Sequence, residues 1–236
     1  MKTIVHKAAD RGHADHGWLN AKHSFSFASY SDPGKVHFGL LRVLNDDIVA
    51  PGMGFGMHPH DNMEIVTIPL SGTLEHKDSM GNIGVIRPNE IQAMSAGSGL
   101  MHSEYNHSKT EPINLLQIWV FPKEENIQPR YDQRVFSEAD KNGKFKTIVA
   151  PEKAEDVMWI NQDAYFSLGK FEMDTSMSYE IKHPGNGVYI FMIEGEADIE
   201  GNTAEKRDAV GIWDTDRIKI DVKKSSEILV IEVPMN

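Results

Sequence analysis

Gly52-Met-Gly-Phe-Gly-Met-His58-Pro-His60-Asp-Asn-Met-Glu64 is the stretch around which the rest of the chain is organised, and Ala96-Gly97-Ser98-Gly99-Leu100-Met101-His102-Ser103-Glu104-Tyr105-Asn106 is its partner. In a β-strand, side chains two residues apart share a face. His58 and His60 therefore point one way, and His102 and Glu104 do the same. Two such strands lining one barrel bring three imidazoles and a carboxylate to a single point. That donor set suits Fe, Mn, Co, Ni, Cu or Zn.

Around these stretches Gly, Pro, Asn and Asp punctuate short β-branched and aromatic runs, a rhythm that predicts an all-β sandwich or barrel. Strands are expected over 24–30, Val36–Val43, Glu64–Leu70, Thr73–His76 and Asn114–Phe121. Turns are expected at Asp32-Pro33-Gly34, at Asn45-Asp46-Asp47, at Ser71-Gly72 and over Asp78–Asn82. Pro122–Lys146 is polar and reads as the crossing between two halves, with one helical turn at Ser137–Lys141. The second half repeats the rhythm at Val188–Ile193, Ala197–Ile199, Ile218–Val222 and Ile228–Val233.

The spacing Gly-x5-His-x-His-x3-Glu, followed by Gly99, His102 and Asn106, resembles the paired motifs of the cupin superfamily. Arg11-Gly-His-Ala-Asp-His-Gly-Trp18-Leu, His23-Ser-Phe-Ser-Phe-Ala, Leu41-Arg-Val-Leu-Asn-Asp-Asp47 and Ser95-Ala-Gly-Ser-Gly narrow the resemblance to the pirin family, and to its bacterial flavonol 2,3-dioxygenases in particular. It runs almost continuously from residue 10 to residue 136. The implied architecture is a bicupin, with an N-terminal metal-carrying barrel over residues 1–130 and a cupin-like barrel over 131–236. Superposing Leu70-Ser-Gly72 on Ile193-Glu-Gly195 places His58 on Ile181 and His60 on His183. A second superposition, Asn89-Glu90 on Arg207-Asp208, places His102 on Ile220 and Glu104 on Val222. The second barrel is thus expected to be filled with aliphatic side chains. Ten of the eleven histidines lie at or before His107, which puts the chemistry in the first half.

The resemblance implies His58, His60, His102 and Glu104 as metal ligands, with Glu104 also the catalytic base. Most cupins use the first-motif glutamate, here Glu64, whose strand parity would allow it. Pirins use the carboxylate two residues after the third histidine, here Glu104, leaving Glu64 a structural role or a hydrogen bond to a ligand histidine. The metal is one divalent ion, Fe(II) first, with Mn, Co, Ni, Cu or Zn as alternatives under the Irving–Williams order. The implied reaction is 2,3-dioxygenation of flavonols such as quercetin with O2 and release of carbon monoxide. The alternative is an iron-binding, redox-sensing regulator of a protein partner.

His13, His16 and His23 read as loop and capping residues, and His37 and His107 as exposed. His76 is open between the pocket and the core. Trp18, Phe25, Phe27, Phe38 and Phe55 are candidates to clamp a flat aromatic ligand. Met53, Met57, Met63, Met94 and Met101 suit an adaptable apolar lining or ordinary core packing.

Composition closes other routes. The chain has no Cys, which excludes disulfides, thiolate metal sites and Cys nucleophiles. A net charge of -11, from 24 basic and 35 acidic side chains, with no basic block, argues against direct nucleic-acid binding. Neither a signal peptide nor an apolar run of membrane-spanning length is evident, so a cytoplasmic protein without membrane contact is expected. Neither a nucleophile elbow nor a phosphate loop nor a dinucleotide fingerprint is present.

Overall fold

The computed structural model describes residues 1–236. Its first part contains twelve strands: β1 (Lys2–His6), β2 (Gly12–Asp15), β3 (Leu19–His23), β4 (Leu41–Val49), β5 (Gly54–His60), β6 (Glu64–Ser71), β7 (Leu74–Asp78), β8 (Ile83–Ile86), β9 (Glu90–Ser95), β10 (Leu100–Asn106), β11 (Ile113–Val120) and β12 (Arg130–Val135). Two sheets form the first barrel, one ordered β12-β9-β6-β11-β4-β3-β2 and the other β5-β10-β7-β8. The fold is all-β, as the punctuation rhythm predicts, with a single helical turn at Glu138–Lys141 capped by Ser137. No helix is long and apolar enough to cross a membrane.

Strand alternation assigns the faces of the seven-stranded sheet. On β11, Leu116, Ile118 and Val120 join a core of 26 buried residues shared by the two barrels, while Gln117 and Trp119 line a cavity in the first. On β6, Val66 and Ile68 enter the shared core and Ile65 packs inside the first barrel with Met94 and Leu100. Both faces of these strands are therefore buried, which is why their sequences read as continuous apolar runs.

The second part is one nine-stranded sheet. Its two longest strands, Asn186–Ile199 and Arg217–Pro234, pair through several register shifts that let them serve both walls. Ile190, Ile218, Ile220, Val222 and Val230 fill its interior, and Ile181 packs against them. Ile220 and Val222 occupy the positions aligned with His102 and Glu104, so this barrel is an aliphatic core. The chain also exchanges edges between barrels: β1 pairs with Ala209–Trp213 in the second sheet, and β12 lies along β9 in the first.

Two expected strands fall elsewhere. Residues 24–30 form only an isolated Phe27–Tyr30 bridge. In place of Val36–Val43, β4 runs over Leu41–Val49, straight through the expected turn at Asn45-Asp46-Asp47. These polar side chains are tolerated within a buried strand because the first two are paired. Asn45 Oδ1 lies 2.9 Å from His23 Nδ1. Asp46 accepts from Arg207 Nε at 2.9 Å, from Arg11 at 3.4 Å and from Asn114 Nδ2 at 2.8 Å. Asp47 is the exception, and it faces the cavity.

Candidate metal centre

β5 and β10 run antiparallel, with His58 directly opposite His102 and His60 opposite Leu100. Gly54 permits that pairing, since a Cβ there would collide with the Glu104 carbonyl oxygen and with Tyr105. Gly99, at φ +120°, turns the chain into β10 through a conformation that other residues rarely adopt. The result brings His58, His60 and His102 together with ring centroids 4.4–4.9 Å apart. One nitrogen from each lies within 4.8 Å of the others.

Hydrogen bonding prepares the rings. His58 Nδ1 donates to the Gly56 carbonyl at 2.8 Å, which leaves Nε2 with its lone pair. Both His102 nitrogens are buried and have no protein partner. A bound cation satisfies one of them, whereas ordinary packing leaves both unsatisfied. Burial, and then the neighbouring His58, holds His60 down to about 4. His102 is held far below the usual imidazole range by burial, with His58, His60 and His76 adding to it. His60 and His102 are therefore neutral at physiological pH, the form that binds metals, and the donor set supports a divalent ion.

Glu104 follows on β10 and is buried. Its Oε2 accepts from Gln117 Nε2 at 2.8 Å. The Thr67 hydroxyl, which donates to Gln117 Oε1 at 2.8 Å, stands 3.5 Å from Glu104 Oε1. Burial raises the Glu104 carboxyl to about 7 against the opposing pull of these hydrogen bonds. Glu104 groups with His102 and His76 in a second cluster, so His102 is common to both. His76 lies behind the cavity wall, with Nε2 3.2 Å from Asp78 Oδ2 and its ring stacked on Tyr131 at 4.6 Å. Glu64 faces the other way: its Oε2 accepts from Ser95 Oγ at 2.8 Å and from the Asn161 N–H at 3.1 Å, tying the first barrel to the second.

A cavity of about 450 Å³ opens onto the histidines, within the size range of small-molecule sites. Trp18, Phe27, Phe55 and Trp119 form its aromatic walls; His23, Asn45, Asp47, Glu104 and Gln117 supply polar groups. Phe25 and Phe38, the other two expected clamps, instead pack against Tyr189 in the shared core. His23 is a buried lining residue, contrary to its loop reading, whereas His13, His16, His37 and His107 are exposed. Trp119, Gln117, Thr67, Asn45 and Asp47 were not among the expected site residues. The signal that could have found the last two is the alternation Val43, Asn45, Asp47, Val49 once β4 is placed.

Two barrels, one filled with aliphatic side chains and the other presenting three imidazoles beside a buried carboxylate, define a bicupin with a single metal-type centre. The chain belongs to the pirin family. Residues 5–120 match Pirin and residues 147–233 match the Quercetinase C-terminal cupin domain. It is 42% identical over 230 residues to quercetin 2,3-dioxygenase of Escherichia coli K12, covering 98% of each chain. A pirin-like protein of Caulobacter vibrioides is 37% identical, covering 94% of this chain and 95% of that one. The crystal structure of the bacterial pirin YhhW from Escherichia coli in complex with nickel(II) superposes with a TM-score of 0.93 at 41% identity, covering 99% of each chain.

Proposed function

We propose that this protein is a metal-dependent dioxygenase that opens flavonols such as quercetin with O2 and releases carbon monoxide. The observation that carries the reading is a buried carboxylate beside three converging imidazoles, on an aromatic-walled cavity, in a chain whose relatives include quercetin 2,3-dioxygenases. His58, His60 and His102 hold the ion and Glu104 ligates it or stands by as base. Fe(II) is the first choice of metal, and nickel(II) has precedent in a relative's crystal structure. When bound, the ion would supply positive charge that acidifies a hydroxyl brought to it.

The remaining work falls to the chain. Glu104, held near neutrality and oriented by Gln117, takes the proton of the substrate's 3-hydroxyl. Trp18, Phe27, Phe55 and Trp119 pack the planar rings and keep water from the electron-rich product of that proton transfer. A reducing cytoplasm fits a chain without cysteine.

The test is flavonol consumption in air by protein reconstituted separately with Fe(II), Mn(II), Co(II), Ni(II), Cu(II) and Zn(II). Loss of flavonol absorbance with carbon monoxide release, absent in His102→Ala, supports the reading. Stoichiometric metal binding without turnover for any ion overturns it.

One observation favours a second reading, a redox-sensing regulator of a protein partner. The outer face of the sheet that carries the histidines exposes Met57, Met101 and Tyr105 on the two histidine strands, with Ile83 beyond the Glu75–Lys77 ion pair on β7. Iron oxidation that alters hydrogen exchange on this face, in a protein that turns over no flavonol, is the result that selects it.

A further inference from the structure

Among the fifteen residues lining the cavity, two present buried polar atoms that no protein group satisfies: Asp47 Oδ1 and Trp119 Nε1. Buried polar atoms are ordinarily paired, so an orphan facing a cavity marks where a ligand's polar group belongs. The two orphans stand apart. In the register of β4 against β11, Trp119 lies opposite Val43 and Leu115 opposite Asp47. Four residues of strand, roughly 13 Å of backbone, therefore separate the two residues. Trp119 is at the metal end, its ring 4.9 Å from that of His60. Asp47 lies on the Glu104 side of the cavity, next but one to Asn45, which stands opposite Gln117 and whose hydrogen bond to His23 leaves its amide NH2 uncommitted.

We propose that Asp47 is a specificity-determining residue, whose carboxyl pairs with a hydroxyl of an aromatic ligand on the side of the cavity away from Trp119 and His60. The inference rests on the reading of the cavity as a flavonol site and adds the group that selects among flavonols. A ligand anchored by its 3-hydroxyl and carbonyl at the histidines presents a ring edge to Asp47 and Asn45. A hydroxyl there pairs with the Asp47 carboxyl, which burial and the neighbouring Asp46 and Glu104 raise to about 8, and accepts from the Asn45 NH2, whereas a bare C–H leaves both unanswered. Sites built to hydrogen-bond a substrate hydroxyl reject the analogue that lacks it for this reason. The lining of Trp18, Leu19 and Ala21 around this end provides no other protein partner for the carboxyl.

The experiment measures anaerobic binding, so no turnover is needed, by fluorescence quenching of Zn(II)-loaded protein with quercetin and with 3-hydroxyflavone. The second compound keeps the metal-facing hydroxyl–carbonyl pair and lacks the other hydroxyls. Wild type binds quercetin more tightly. Asp47→Ala weakens quercetin by about 10-fold, the scale of one buried hydrogen bond, and leaves 3-hydroxyflavone within about twofold. Asp47→Asn, which keeps one acceptor oxygen and the side-chain shape, narrows the preference by less and serves if the alanine variant does not fold. Parallel weakening of both compounds, or an unchanged ratio in both variants, overturns the proposal while leaving the flavonol reading in place. Wild type that binds neither compound overturns that reading and the proposal together.

Discussion

Asp46→Ala tests the claim that a buried charge cluster, rather than a turn, occupies the middle of β4. Asp46 Oδ2 is shared by Arg207 Nε at 2.9 Å and both terminal nitrogens of Arg11 at 3.4 Å, while Oδ1 accepts from Asn114. The Arg11 and Arg207 side chains are only 7% and 13% exposed, so solvent replaces little of what is lost. Arg207 keeps bonds to Asn114 Oδ1 and the Ile193 carbonyl. Arg11 keeps only its position over the Phe191 ring, and its Nε already has no partner. Removing one member of a buried charged set typically costs ~3–5 kcal/mol because an uncompensated charge is left behind. Equilibrium urea unfolding, followed by tryptophan fluorescence, reads this as a midpoint lowered by roughly 1–2 M for a slope of about 3 kcal/mol/M. The triple variant Arg11→Met, Asp46→Leu, Arg207→Met removes every charge and is expected to recover most of the loss. A loss below ~1 kcal/mol in Asp46→Ala, or a triple variant no more stable than the single one, refutes the reasoning.

The remaining predictions concern the centre and its supports. His102→Ala removes the histidine common to both clusters and is expected to abolish stoichiometric metal retention, measured by elemental analysis after dialysis, with the fold kept by circular dichroism. Gln117→Leu removes the donor that orients Glu104, so kcat is expected to fall by about 10-fold or more with metal content unchanged; an unchanged kcat refutes the role. Gly54→Ala forces a Cβ onto the Glu104 carbonyl and is expected to separate β5 from β10, seen as lost metal binding and a lowered Tm. Glu64 is raised by burial from 4.5 to about 7. Its folded value lies above the unfolded one, so the stability it carries is complete below the unfolded value and disappears as pH rises through about 7. Glu64→Gln, which mimics the protonated form, is therefore expected to match wild type near pH 4 and to exceed it by up to ~3 kcal/mol at pH 8, with metal binding intact. Lost metal binding in this variant would show that Glu64, not Glu104, serves the ion.

What could be read from the sequence was whatever short-range periodicity controls. Alternation alone put His58 with His60 and His102 with Glu104, and the aliphatic residues at Ile220 and Val222 revealed that the second barrel is filled. The strand through Asn45-Asp46-Asp47 was not readable, because three polar residues in succession satisfy turn chemistry locally. Their strand conformation is decided by partners distant in the chain: Arg207 is 161 residues from Asp46. The same holds for His23, whose hydrogen bond to Asn45 across the β3–β4 pair turns an apparent loop residue into part of the cavity wall.

The choice between Glu64 and Glu104 shows where alternation fails. Glu64 is four residues after His60, so unbroken strand parity would place the two on one face. The strand is broken between them: Asn62 takes φ +43°, and its N–H donates to the Gly97 carbonyl. There the chain leaves the four-stranded sheet at the end of β5 and enters the seven-stranded sheet at the start of β6. Parity counted across that corner carries no information, since each sheet faces the barrel interior from its own side. Glu104 shares an uninterrupted strand with His102, and although a bulge shifts its register against β5, its pairing with β7 remains regular from His102 to Asn106. A carboxylate on the strand of His102 is held in register with it, whereas one beyond the corner is free to serve the neighbouring barrel, as Glu64 does through Asn161.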